Sequence, residues 1–302
     1  MFDPVLQQHK MNDKIKTGFE KISLTAIFVA YWRQYTDIQF AKDIAELIRA
    51  NDKVENFLRS HNITREEIRW YAPLFEIRHK SIQEAIRRYE MTQVLEVASG
   101  LSFRGLSMAQ QPGMKYVETD LDDLTNEKRT IVDALKQKYS LTVDGNFSLA
   151  AANALDEAEL QSAARFLDSS KRTAIVTEGL LPYLTMGEME VVAKNIKSLL
   201  KKSGGVWITP DFSLKENYDD VSPQRLQIRD ALAELTGRQL HRNIFDSRDH
   251  LASFLGKIGL RAEALYQTDL VSRIVSLGVL KLPGRFLEKV KPKLNLWVIS
   301  LP

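Results

Sequence analysis

Three acidic side chains, Glu96, Asp120 and Glu178, each stand in or at the end of a short apolar run that gives way to a turn, in QVLEVASG, KYVETDLDDL and TAIVTEGLL. A carboxylate at the carboxyl end of a central strand has few structural uses, so Glu178 beside Gly179 is a candidate ligand contact. Asp120 follows Gly100 by about twenty residues, the position from which an acid accepts hydrogen bonds from ribose hydroxyls. Gln93 to Gly105 reads as strand, small-residue turn and helix start, which lets a ligand approach backbone N–H groups. Two nucleoside ligands compete for it. A dinucleotide needs Gly-x-Gly-x-x-Gly, and this turn offers Ala98, Ser99, Gly100 and Gly105 instead. An acid in the strand, Glu96, followed by small residues suits S-adenosylmethionine, which needs no pyrophosphate cradle. Asn153, with Ala154 beside it, ends a third apolar run; it fits an adenine edge or a helix cap equally well.

The elements that must place these residues are legible from periodicity. From about Ser23 to Tyr89 apolar positions recur at helical spacing, predicting about four helices. Thr64 and Glu67 form a capping-box pattern for the helix that carries Trp70 and Tyr71. The aromatic residues of this region read as helix packing, with a pocket lining as the second reading. Beyond Thr92 short apolar runs alternate with helical stretches, the pattern of a parallel sheet covered on both faces. Strands are predicted at 93–97, 115–119, 147–151, 172–177, 206–210, 261–266 and 295–301. The expected fold is therefore α/β, a doubly wound seven-stranded Rossmann-like sheet. Residues 1–90 form an N-terminal helical cap, 91–302 the ligand-binding domain, and 213–249 a helical insertion over the site.

Composition bounds the function. With 42 basic and 39 acidic residues the net charge is only +3, which gives no reason to expect nucleic acid. The absence of cysteine excludes disulfides, a thiol nucleophile and cysteinyl metal sites, and no metal-ligand cluster is apparent. The N-terminus is polar and its first apolar run, Ile22 to Trp32, is too short to span a bilayer, so a soluble cytoplasmic protein is expected.

Several segments in order resemble the leucine carboxyl methyltransferase family of class I S-adenosylmethionine-dependent methyltransferases. They are TAIFVAYWRQYTDIQFAKDIAELI, FEIRHKSIQEAI, VLEVASGLSFRG, YVETDLDDLTNEKR, ANALDEAEL and, most specifically, TEGLLPYLTMGEMEVVAKNIKSLL. The resemblance implies S-adenosylmethionine as cofactor and S-adenosylhomocysteine as product. It places Arg78 on the carboxylate of the cofactor's methionine moiety, Ala98 and Gly100 in the glycine turn and Asp120 on the ribose. Asn153 and Ala154 fall near the adenine, Glu178 at the methionine moiety and Tyr183 on the substrate side. The usual Gly-x-Gly-x-Asp-(Thr/Ser) turn is altered, with Ala98 for the first Gly, Ser102 for the Asp and Phe103 for the hydroxyl residue. Alanine there requires a negative backbone angle φ.

Methyl transfer from a sulfonium to a carboxylate needs no general base, because the acceptor is already ionised near neutral pH. Alignment and desolvation then carry the reaction, with Tyr183 as a positioning residue. A hydroxyl acceptor needs a base, for which His79, His241 and His250 are the candidates. The expected function is O-methylation of a carboxylate or hydroxyl of a small molecule, or of a C-terminal carboxylate. A non-catalytic binder of the cofactor is the alternative, with an NAD-dependent oxidoreductase behind it. The acceptor itself and the oligomeric state are left open.

Overall fold

A computed structural model describes residues 24–143, 145–217, 226–228, 230–231 and 244–302. The helical first part comprises α1 (Leu24–Arg33), α2 (Ala41–Leu47), α3 (Ala50–Ser60), α4 (Arg65–Ile68) and α5 (Tyr71–Arg88). Glu67 accepts hydrogen bonds from both the backbone N and the Oγ1 of Thr64, at 2.8 and 2.7 Å, so the predicted capping box forms. The helix it opens ends after one turn, however, and Tyr71 begins the next. Pro73 lies in the first turn of α5, where its missing N–H costs no helical bond, so a new helix starts there.

The strands are β1 (Gln93–Val97), β2 (Lys115–Asp120), β3 (Phe147–Ala151), β4 (Thr173–Thr177), β5 (Gly205–Thr209), β6 (Arg261–Tyr266) and β7 (Asn295–Ser300). All seven coincide with the predicted runs to within two residues. They form one sheet in the order β3-β2-β1-β4-β5-β7-β6. The first five pair in parallel, as the parallel-sheet pattern predicts, and β7 runs antiparallel between β5 and β6, which that pattern does not specify. An antiparallel neighbour needs no crossover helix on the sheet. The connection from β6 to β7 is accordingly free to seat against α5, where Glu76 accepts the N–H groups of Val275 and Ser276 at 2.8 and 2.9 Å.

β1 and β4 are buried along their whole length because helices cover both faces. On one face Val94, Tyr116, Ala174, Val176, Val206 and Ile208 share a continuous core with α1 to α5 and with Ile131 and Leu135 of the Asp122–Tyr139 helix. On the other, Leu95, Val117, Ile175 and Trp207 pack against the helices Glu157–Ala164, Met186–Ser203 and Arg248–Ile258. The early aromatic residues are packing residues: Phe28 meets Trp32, Tyr71 and Phe75 edge-on with centroids 6.2, 5.1 and 6.3 Å apart. Full burial of side chains of this size contributes about 1.5–3 kcal/mol each. In the 213–249 stretch, residues 218–225, 229 and 232–243, His241 among them, lie outside the described residues; within the predicted helical piece QRLQIRDALAEL, residues 226–228 and 230–231 are helical. The described ends of the stretch are joined by a bridge between Leu214 and Phe245. Among the described residues no helix is long and apolar enough to cross a membrane.

Candidate functional site

Strand alternation sends Glu96, Tyr116 and Glu118 to the same face as the helical first part, and Glu178 follows the last residue of β4. The Glu178 side chain is only 4% exposed and is met by cations from three separate elements. Its Oε1 accepts from Arg33 Nη2 of α1 at 2.5 Å and from Arg78 Nε of α5 at 2.7 Å. Its Oε2 accepts from Nη2 of Arg104, just past the β1 turn. Burial pushes the Glu178 carboxyl up, but the three guanidiniums outweigh burial and hold it well below the usual carboxylate range.

Arg104 is fully buried and turns its Nη1 to Glu96 Oε1 at 2.5 Å, while Tyr116 donates to the other Glu96 oxygen at 2.6 Å. Burial works against the Arg104 charge; Glu96 and Glu178 reverse the balance and raise it well above its ordinary value. Arg33 is drawn down to about 10, by burial first and then by Arg78 and Arg104, against the pull of Glu178. His79 lies behind this cluster, its Nδ1 3.4 Å from Arg104 Nη2, and burial with the adjacent Arg104 and Arg33 keeps it neutral.

Three guanidiniums thus meet the two carboxylates Glu96 and Glu178, and the buried Asp211 acts on Arg78 as well. The Nε atoms of Arg33 and Arg104 are buried without a hydrogen-bond partner. A pocket lined by Arg33, His79, Ala30, Ile38, Leu101 and Phe103 adjoins the cluster. The unmet guanidinium donors are of the kind that bind a carboxylate.

The turn after β1 is held in left-handed backbone at two places, Ala98 at φ +53° and Gly100 at φ +52°. The negative angle expected at Ala98 is thus corrected. The turn keeps the glycine-type conformation although its residue has a Cβ, at a cost of about 1–2 kcal/mol. A Cβ at Gly100 would meet nothing within 4 Å, so the turn faces open space there. Asp120 accepts from Gly100 N at 2.7 Å and from Leu121 N at 2.9 Å; burial raises its carboxyl against these two bonds. Leu121, 58% exposed, stands beside it.

The sequence model for leucine carboxyl methyltransferase matches residues 35–197, more than half of the chain. The chain belongs to this family. It therefore has the family and the fold of S-adenosylmethionine-dependent methyltransferases. Among solved structures, a DUF574 family protein from Streptomyces avermitilis MA-4680 aligns with a TM-score of 0.55 and 13% identity, over 92% of this chain and 96% of that one. A candidate methyltransferase from Thermobifida fusca YX aligns with a TM-score of 0.46 and 17% identity, over 76% of this chain and 82% of that one. Human N-acetylserotonin methyltransferase, solved with S-adenosylmethionine, aligns with a TM-score of 0.44 and 11% identity, over 81% of this chain and 61% of that one. No curated protein matches the sequence.

Within this member of the leucine carboxyl methyltransferase family, Arg78, Glu178 and Tyr183 are brought together. Burial raises the Tyr183 hydroxyl; Thr25 of α1 hydrogen-bonds it and Arg78 acts on its charge. Asp120 and the turn flank this group across β1. Glu96 is wholly buried and both its oxygens are used inside the protein. Asn153 is exposed; its Oδ1 accepts from Leu155 N at 3.0 Å, while Asp156 caps the following helix by accepting from Glu159 N at 3.0 Å. Ala154 is buried and its carbonyl accepts from Asn195 at 3.0 Å. His250 lies elsewhere, within 3.3 Å of Asp246.

Sequence reasoning missed Arg33, Arg104 and Asp211. The first is the only charged residue of α1, on an otherwise apolar helix, and the second opens a helix at the end where a cation is disfavoured. Both are signs of a specific partner. Asp211, just past β5, takes the N–H groups of Gly179, Leu180 and Leu181 at 2.7, 2.9 and 3.2 Å and so fixes the loop between Glu178 and Tyr183.

Proposed function

We propose that this protein is an O-methyltransferase that uses S-adenosylmethionine and transfers its methyl group in line to a carboxylate, of a small molecule or of a peptide C-terminus. The observation that supports the donor half is the convergence of Arg33, Arg78 and Arg104 on Glu178 beside the β1 turn. Arg33 and Arg78 would hold the carboxylate of the methionine moiety, Glu178 its ammonium, and Asp120 the ribose hydroxyls. Leu121 and Asn153, with Ala154 behind, would flank the base. Glu96 acts through Arg104, and Ala98 and Gly100 shape the turn. Bound there, the cofactor supplies an electrophilic methyl group on a sulfonium.

The remaining work falls to this chain's own residues. Tyr183, tied to Thr25, would position the acceptor, while the helices from Leu24 to Arg88 would exclude water from it. Burial, with Arg104 and Arg33 beside it, disfavours the protonated form of His79 and so makes it a poor proton acceptor. An acceptor that is already ionised suits a site without such a base. A non-catalytic cofactor binder is the second reading, favoured by the strained Ala98 in the turn.

Calorimetric titration with S-adenosylhomocysteine tests the donor half, and the absence of heat at high micromolar ligand would sink it. Transfer of a labelled methyl group into small acids and C-terminal peptides, but not into phenols, is expected. Labelling of phenols alone would replace the carboxylate reading, and binding without any transfer would favour the second.

A further inference from the structure

The β1 turn is unusual in what holds it. It carries two left-handed residues, one of them alanine, and the helix it leads into, Arg104–Met108, is a single short turn whose N-cap Phe103 makes no side-chain capping bond. Beyond the bonds from Gly100 N to Asp120 and from Ser99 N to Thr119 O, its grip comes from two buried residues. Glu118 of β2 is 0% exposed and accepts the N–H of Gly105 at 2.6 Å. Lys128 of the Asp122–Tyr139 helix is 1% exposed, pairs with the other Glu118 oxygen at 2.7 Å and donates to Ser99 Oγ at 2.8 Å. Its ammonium also lies 5.1 Å from the centre of the Phe103 ring.

The connection Ser99–Lys128–Glu118–Gly105 therefore spans the turn from one end to the other, with Phe103 against its middle. Gly105 is part of the fit: a Cβ there would come within 2.5 Å of the Tyr116 ring and 2.8 Å of Glu118 Oε1. Burying a lysine and a glutamate costs several kcal/mol of hydration per ion unless each is fully paired, so a pair kept at this place points to what it holds.

We propose that Lys128 and Glu118 form a brace that keeps residues 98–105 in the shape that receives the cofactor, a positioning role that rests on the methyl-donor reading above. Other groups facing Glu118 set its titration: Glu96 on β1, whose Cα is its register partner, Tyr116 on β2, and Arg104, which neutralises Glu96. Burial and the Glu96 charge push the Glu118 carboxyl up to about 7 against the pull of Lys128 and the Gly105 N–H. The ionised pair, and with it the full brace, is complete above that pH and is lost as pH falls through it.

The experiment is calorimetric titration of the full chain with S-adenosylhomocysteine. The double substitution Glu118→Gln with Lys128→Met leaves no unpaired buried charge and is expected to weaken binding by about 10-fold or more; Ser99→Ala, which removes only the hydroxyl, by about threefold. Adding Ala98→Gly to the double variant removes the strain the brace holds down and is expected to restore at least about threefold of the loss. A loss of global stability alone would show no such rescue. Wild-type affinity should weaken from pH 8 to pH 6 while that of the double variant, which has neither charge of the pair, stays flat. Wild-type binding with unchanged affinity in all these variants would overturn the brace and leave the donor reading intact; no binding by the wild type would overturn both.

Discussion

The two ends of the site are built in opposite ways. At the end assigned to the methionine moiety, cations from α1, α5 and the β1 turn, far apart in the chain, converge on one carboxylate buried to 4% exposure. At the end proposed for the nucleoside, Asp120, Leu121 and Asn153 are held by bonds to near neighbours or to the adjacent turn, and two of the three face solvent. One end is thus part of the fold's charge balance, whereas the other is a surface that the fold happens to present. Loss of a fully buried residue at the first should cost stability and affinity together; at the second it should cost affinity alone.

The largest expected effect follows from Arg104. Arg104→Met leaves Glu96 without its cation and Glu178 short of one, and should cost about 3–5 kcal/mol in urea unfolding. A loss under about 1 kcal/mol would mean that the buried cluster is not the structural centre described here. Arg78, about a quarter exposed, should separate the two properties at this end. Arg78→Ala is expected to weaken S-adenosylhomocysteine binding about 30-fold or more with a small change in melting temperature, because Arg33 and Arg104 still neutralise Glu178. Equal affinity would show that Arg78 serves only the ion pair.

At the nucleoside end Asp120→Asn should weaken binding by about 10-fold and leave urea stability within about 1 kcal/mol of the wild type. A large stability loss there would erase the contrast between the ends. The smallest effect is expected at Ala98: Ala98→Gly should raise stability by about 1 kcal/mol by removing the left-handed strain. A destabilised variant would show that the alanine methyl contributes packing that outweighs its backbone cost.

The legibility of these parts in the sequence follows the range of the interactions that make them. Strands such as TAIVT and GVWIT announce themselves because burial on both faces demands an unbroken apolar run. Asp120 and Glu178 were visible because each is a charge placed where such a run stops. The antiparallel β7 was not visible, because an apolar strand reads the same in either direction and only the seating of the preceding connection on α5 decides its sense. The conformation of Ala98 was misjudged for a related reason: intrinsic preference argues for negative φ, and tertiary bonds to Thr119, Glu118 and Lys128 around the turn outweigh it.

By itself the sequence determined the alternation of strands and helices, the capping box at Thr64, the order of the strand-end acids and the family, since all of these depend on local spacing and residue type. The tertiary structure decided which charges meet. Arg33 and Arg78, from two different helices, reach the same Glu178 oxygen, and Arg104 divides itself between Glu96 and Glu178. No local pattern records such meetings, because the energy that selects them is the cost of burying each charge alone, and that cost exists only once the chain has folded around them.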